Sequence, residues 1–167
     1  MDIPVISFTG WSGSGKTTFI EKLIPVLRGS GLRVAVLKSD GHEFQMDREG
    51  KDTFRFSSAG ADCVAIANSR HAAILENRPL SFEELCSHVR NVDLILAEGF
   101  HSEPLPRIEV FRGHDSLRCA DRENLWAVIT DEQISPGVPV FGLEDVSSVA
   151  GFILERLGIA PGVPDKF

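Results

Sequence analysis

The strongest chemical signal in the chain is Gly10-Trp11-Ser12-Gly13-Ser14-Gly15-Lys16-Thr17, which satisfies the phosphate-binding loop pattern G-x-x-x-x-G-K-[ST] in full. Glycines let successive backbone N–H groups curl around a β-phosphate, and a helix that follows presents its positive end to the same group. Lys16 then reaches the β- and γ-phosphates, and the Thr17 hydroxyl is a ligand for Mg²⁺. Thr18, next along, is taken with Gly10 to Thr17 as the nucleotide-binding set. A glycine-rich turn that binds nothing is the bland alternative.

A second acidic group should complete the Mg²⁺ site, and an apolar strand ending in a carboxylate is where such proteins keep it. Val92 to Ala97 followed by Glu98 fits. Asp93, at the start of that strand, would lie roughly 16 Å away at about 3.3 Å per residue, too far to share the site. The polar stretch Ser39 to Gly50 carries Asp40, His42, Glu43 and Asp47. One of these could hold Mg²⁺ through water or orient an attacking water, and Asp47 is the catalytic candidate beside Lys16 and Glu98. Asp47 or Asp52 could equally cap the next helix. The histidines never fall at H-x-x-x-H spacing, and Cys86-Ser87-His88 is too small a set for zinc. No G-x-S-x-G elbow or Ser/His/Asp order supports a protein nucleophile.

The elements that must position these residues follow from the hydrophobic pattern. Ile3 to Phe8 reads as a strand buried on both faces, and Lys16 to Arg28 as a helix ending at Gly29-Ser30-Gly31, kinked by Pro25. Arg33 to Lys38 is a second strand, and Asp52 to Ala59 a short helix. Cys63 to Ala67 and Ala72 to Leu75 are further short strands. Ser81 with Glu84 forms a capping box opening a helix through about Val89. Arg107 to Phe111, Trp126 to Ile129 and Val138 to Phe141 read as strands, and Asp145 caps a last helix. Strands alternating with helices, with the phosphate loop after the first strand, imply an α/β fold of the P-loop NTPase type built around a mostly parallel sheet flanked by helices. Ligands in such sheets sit beyond the carboxyl ends of the strands.

Composition agrees with this reading. The 167 residues suit one nucleotide-binding domain over 1–167, large enough to need no disulfide or structural metal. Three scattered cysteines suit a reduced, cytoplasmic protein. A net charge of -7 argues against binding a nucleic-acid polymer, and no run of 18 apolar residues suggests a membrane span.

Beyond the phosphate loop, the chain carries Lys38, His42, Asp47, Gly50-Lys51-Asp52-Thr53 and Ala59-Gly60-Ala61. Glu98-Gly99-Phe100 and Arg107-Ile-Glu-Val-Phe-Arg112 come later. In these blocks and their spacing it resembles the molybdopterin-guanine dinucleotide biosynthesis protein B family of small GTP-binding proteins. It departs from that family at Lys38-Ser39-Asp40-Gly41-His42, where a histidine-rich stretch keeps only its last histidine. The resemblance implies that the mostly parallel sheet is mixed, and that the protein is a homodimer that binds Mg²⁺ and GTP and hydrolyses GTP weakly. It also implies an adaptor that assists the molybdenum cofactor guanylyltransferase. Arg107 to Phe111 could serve the dimer contact, and Lys51 or Arg107 could hold molybdopterin itself.

Guanine over adenine rests on the resemblance, because no Asn/Thr-Lys-x-Asp tetrad occurs. Asp131, at the end of a predicted strand, could read the base or cap a turn. The alternative function is a small-molecule kinase using ATP or GTP, with Arg55, Arg70, Arg78, Arg107 and Arg112 as candidate phosphoryl clamps.

Overall fold

The computed structural model describes residues 3–41, 44–119 and 123–160. In chain order the elements are β1 (Val5–Thr9), α1 (Lys16–Gly29), β2 (Val34–Lys38), α2 (Asp52–Ser58), β3 (Cys63–Ala67) and β4 (Ala72–Glu76). They continue as α3 (Phe82–His88), β5 (Leu94–Glu98), β6 (Arg107–Val110), β7 (Leu125–Ile129), β8 (Val140–Phe141) and α4 (Val146–Leu157). The chain forms two compact units, one of them the inserted segment Asp40–Ser87 and the other made of the residues on either side of it.

In the larger unit six strands form one sheet in the order β2-β5-β1-β6-β7-β8. Every pairing in it is parallel. The expected antiparallel component is confined to β3 and β4, which pair only with each other. Strands buried on both faces read as unbroken apolar runs. β5 is buried at all of its positions, including the terminal Glu98.

Side chains alternate across the sheet. Ile6, Phe8, Leu94, Leu96, Ile108 and Val110 face one way and pack with Phe19, Leu23 and Leu27 of α1 and Val149, Ile153 and Leu154 of α4. A bond from Lys22 to Glu144, at 2.8 Å, links α1 to the turn before α4. The opposite face carries Ser7, Thr9, Arg107 and Glu109, all buried. It also carries a smaller apolar cluster of Phe111, Cys119, Leu125 and Val128.

α1 contains Pro25 and closes at Ser30 and at Gly31, φ 84°, as the sequence suggests. Two local expectations change. Asp145 stands at the N-cap of α4, yet its carboxylate accepts the Gly142 N–H at 2.8 Å and caps no helix amide. β6, expected as a dimer contact, lies between β1 and β7 with every residue buried, so both of its edges are already paired.

In the inserted unit β3 and β4 form an antiparallel hairpin running from Cys63↔Glu76 to Ala67↔Ala72. The Asn68 carboxamide oxygen closes its turn by accepting the N–H groups of Arg70 and His71, each at 2.8 Å. The capping box forms as expected. The Ser81 N–H donates to Glu84 at 2.8 Å, and the Glu84 N–H donates to the Ser81 hydroxyl at 3.1 Å. Phe44, Met46, Phe56, Ile66 and Ile74 remain exposed.

Candidate functional site

β1 delivers the chain to the carboxyl edge of the sheet at Thr9, between β5 and β6. The backbone then turns at Gly10 with φ +140°, and a Cβ there would lie 2.2 Å from the Val110 carbonyl oxygen. Only glycine lets the loop seat against the end of β6. Gly15 enters α1 in the left-handed region at φ 99°, and no side chain caps the helix. The first-turn N–H groups, which have no partners within the helix, are therefore left for an anion. The Lys16 ammonium folds back over the loop, donating to the Gly10 carbonyl at 3.1 Å and the Trp11 carbonyl at 2.8 Å. Burial holds its pKa below the ordinary value; Glu98 pulls it up, while Arg118 and Lys38 push it down.

In the first turn of α1, the Thr17 hydroxyl lies 3.3 and 3.2 Å from the two carboxylate oxygens of Glu98. These residues, 81 positions apart, meet because β1 and β5 are parallel neighbours that end together, Phe8 opposite Glu98. Gly99 makes the close approach behind that carboxylate possible: its φ is +96°, and a Cβ would stand 2.3 Å from the Ser39 carbonyl oxygen. Asp93, at the far end of β5, is held by Arg33 at 2.9 Å. A threonine hydroxyl beside one carboxylate is the donor set Mg²⁺ uses when phosphate oxygens and water complete its octahedron. Among the described residues there is no group of three or more His, Cys, Asp or Glu side chains able to hold a metal ion. An all-protein metal cage therefore has no support there.

The other flank of the loop went unread in the sequence. The Trp11 indole N–H donates to the Ser116 carbonyl at 3.0 Å, and its ring lies 5.2 Å from that of His114. The Arg118 guanidinium sits 5.3 Å from the Trp11 ring centroid. The segment that carries these residues is anchored by Glu109, which is fully buried. Its two carboxylate oxygens accept the N–H groups of Arg118 at 2.6 Å and Cys119 at 2.8 Å. The signal available was a carboxylate in the middle of an apolar strand, a residue that must find donors or stay unburied.

His101 follows β5 and places its Nδ1 within 3.3 Å of the Thr9 hydroxyl. Burial lowers its pKa from the ordinary 6.5, and the charges of Arg118, Arg107 and Lys16 lower it further. The imidazole is therefore expected to stay neutral at pH 7 and to titrate below 6.5. Arg118→Ala should raise that value without fully restoring it, since burial is the larger cause. A proton NMR titration of the His101 ring reads both; a pKa at or above 6.5, or no response to Arg118→Ala, counts against this electrostatic picture.

The remaining sequence candidates are placed as follows. Arg107 is buried, and its guanidinium donates to the carbonyls of His101 and Glu103, so it works as a tether for the loop after β5. Arg55 pairs with Asp52, and Arg78 with Glu76 and Glu84. Asp131 accepts the Leu143 N–H at 3.0 Å. Asp47 belongs to the inserted unit, where it accepts the Arg48 N–H at 2.8 Å and borders an apolar hollow of about 190 Å³ lined by Met46, Val64 and Leu75. His42 and Glu43 lie outside the described residues.

The family model for molybdopterin guanine dinucleotide synthesis protein B, MobB, matches residues 5–131. The chain belongs to the MobB family. A relative from Haemophilus influenzae, named a molybdopterin-guanine dinucleotide biosynthesis adapter protein, is 36% identical over 156 residues, covering 90% of this chain and 88% of the relative. A relative of the same name from Escherichia coli is 33% identical over 162 residues, covering 92% and 93%. The crystal structure of Bacillus subtilis MobB superposes with a TM-score of 0.74 at 28% identity, covering 92% of this chain and 97% of that one. Another crystal structure, of a molybdopterin-guanine biosynthesis protein B, gives 0.69 at 30% identity, covering 91% and 99%. The MobB match takes in the phosphate loop, Thr17, Glu98, Glu109 and Arg118, and β8 and α4 lie beyond it.

Proposed function

We propose that this chain is a GTP-binding adapter in the formation of molybdopterin guanine dinucleotide. The observation that carries the nucleotide half of this reading is the Thr17 hydroxyl lying on the Glu98 carboxylate beside Lys16, at the mouth of an uncapped helix. Residues 10–18 cradle the phosphates, Lys16 neutralises them, and Thr17 and Glu98 hold Mg²⁺. The adapter half rests on family membership and on the names of the curated relatives.

In this reading Asp47 orients the attacking water and hydrolysis is weak, so the nucleotide serves chiefly to organise the protein for its partner, the molybdenum cofactor guanylyltransferase. Asp131 stands where β7 ends, and its carboxylate, already turned toward the Gly142–Leu143 backbone, is the candidate reader of the base. A homodimer fits the inserted unit. Its two-stranded hairpin packs against α2 yet still exposes Ile66 on one face and Ile74 on the other. Among the described residues no helix is long and apolar enough to cross a membrane.

Titration calorimetry of Mg-GTP and Mg-ATP against the protein tests the reading. GTP is expected to bind more tightly. A preference for ATP would overturn it in favour of a kinase, although three of the arginines such an enzyme would use, Arg55, Arg78 and Arg107, are held by local partners.

A further inference from the structure

Lys16 is not the only cation the fold brings to the phosphate loop. Arg118 is exposed, and among the described residues no carboxylate pairs with its guanidinium. Its place is nevertheless fixed twice. Its backbone N–H is tied to the fully buried Glu109, one strand over from Thr9, which it faces in the β1–β6 register. Its guanidinium rests against Trp11, the first residue after Gly10 in the loop. A long side chain carrying an unpaired charge normally gives up rotamer freedom only for a compensating contact. A backbone anchor and an aromatic face lower that cost in advance.

We propose that Arg118 is a second phosphate-contacting residue of this site, one that binds the terminal phosphate and so makes the protein prefer nucleoside triphosphate to diphosphate. The inference rests on the nucleotide-binding reading above and deepens it. Two of the three Lys16 donors already engage the Gly10 and Trp11 carbonyls, leaving one for phosphate. A triphosphate brings roughly one more negative charge than a diphosphate, which Mg²⁺ and Lys16 leave over. Lys38 stands directly opposite Glu98 in the β2–β5 register, on the other side of the loop. Arg118 lies on the β6 side, close enough for its charge to be felt at Lys16. Its guanidinium offers the planar fork that suits a phosphate.

The test is calorimetry with two probes, Mg²⁺ plus the β,γ-imido analogue of GTP and Mg²⁺ plus GDP, on the wild type, Arg118→Ala, Arg118→Lys and Lys16→Ala. Arg118→Ala is expected to weaken the triphosphate analogue about tenfold or more and GDP by no more than about twofold, with Arg118→Lys in between. Equal losses for the two probes, or no loss for either, overturn the assignment of Arg118 to the terminal phosphate. Lys16→Ala separates the two ideas, because it should weaken both probes. If Lys16→Ala binds like the wild type, the nucleotide-binding reading itself falls and takes this inference with it. Because Arg118 is exposed, an unchanged melting temperature is expected for its variants and shows that any loss is not one of folding.

Discussion

Replacing Lys16 by alanine is expected to lower the affinity for Mg-GTP by about a hundredfold or more while leaving the fold in place. The ammonium is the cation that folds over the phosphate loop, pinned by the Gly10 and Trp11 carbonyls at 3.1 and 2.8 Å. Removing one partner of a charge pair in a partly desolvated site costs roughly 2–5 kcal/mol, and about 1.4 kcal/mol is a factor of ten. Stability should change little. Lys16 is only half-buried, and it opens α1 at the phosphate loop rather than lying in the apolar core. Calorimetry reads the first effect and a thermal melt the second. An unchanged Mg-GTP affinity would remove the phosphate-loop assignment.

The second large effect is on stability. Glu109→Ala is expected to destabilise the protein by about 3 kcal/mol, through the two backbone donors it strands. Glu109 is fully buried in the β6 strand, and its carboxylate accepts the Arg118 and Cys119 N–H groups at 2.6 and 2.8 Å. Each donor left unsatisfied costs roughly 1–3 kcal/mol, and the carboxylate lies on the face that holds Phe111 and Val128. Glu109→Gln keeps one acceptor but turns an amide donor toward an N–H, so it should fall between. Urea unfolding followed by circular dichroism measures both variants. A loss below about 1 kcal/mol for Glu109→Ala would mean that the segment is held by something other than this carboxylate.

What the sequence disclosed and what it hid divide along physical lines. The phosphate loop was legible because its chemistry demands particular residue types at fixed spacing, and Glu98 because an apolar run ending in a carboxylate reports the carboxyl edge of a buried strand. That Thr17 and Glu98 touch needed the parallel register of β1 with β5, which no local pattern encodes. Arg118 and Glu109 stayed hidden for the same reason. The chain between β6 and β7 has no periodicity, and the bond joining them spans nine residues of irregular backbone. Arg107 was misread in the opposite direction, because an arginine opening a strand looks available until the strand is found at the centre of a sheet. The hairpin strands were visible from their β-branched and apolar residues, but their separation from the parallel sheet was not. Pairing partners are a property of the whole chain.

The place of β1 in the middle of the sheet has a kinetic side. Val5 pairs with Ile95 and Ser7 with Arg107, so the strand that ends in the phosphate loop is synthesised long before either of its neighbours. Contacts so distant in sequence require large loops to close before they return any free energy, and parallel pairings of this kind form slowly. Until β5 and β6 emerge, β1 offers two unpaired edges and the bare side chains of Ile6 and Phe8, the features that draw nascent chains into aggregates or onto chaperones. The phosphate loop, hung from the end of that strand and seated against the end of β6, can take its final shape only once β6 is in place. A nucleotide bound there as proposed would therefore hold the assembled sheet, and would have nothing to grip before β6 is made.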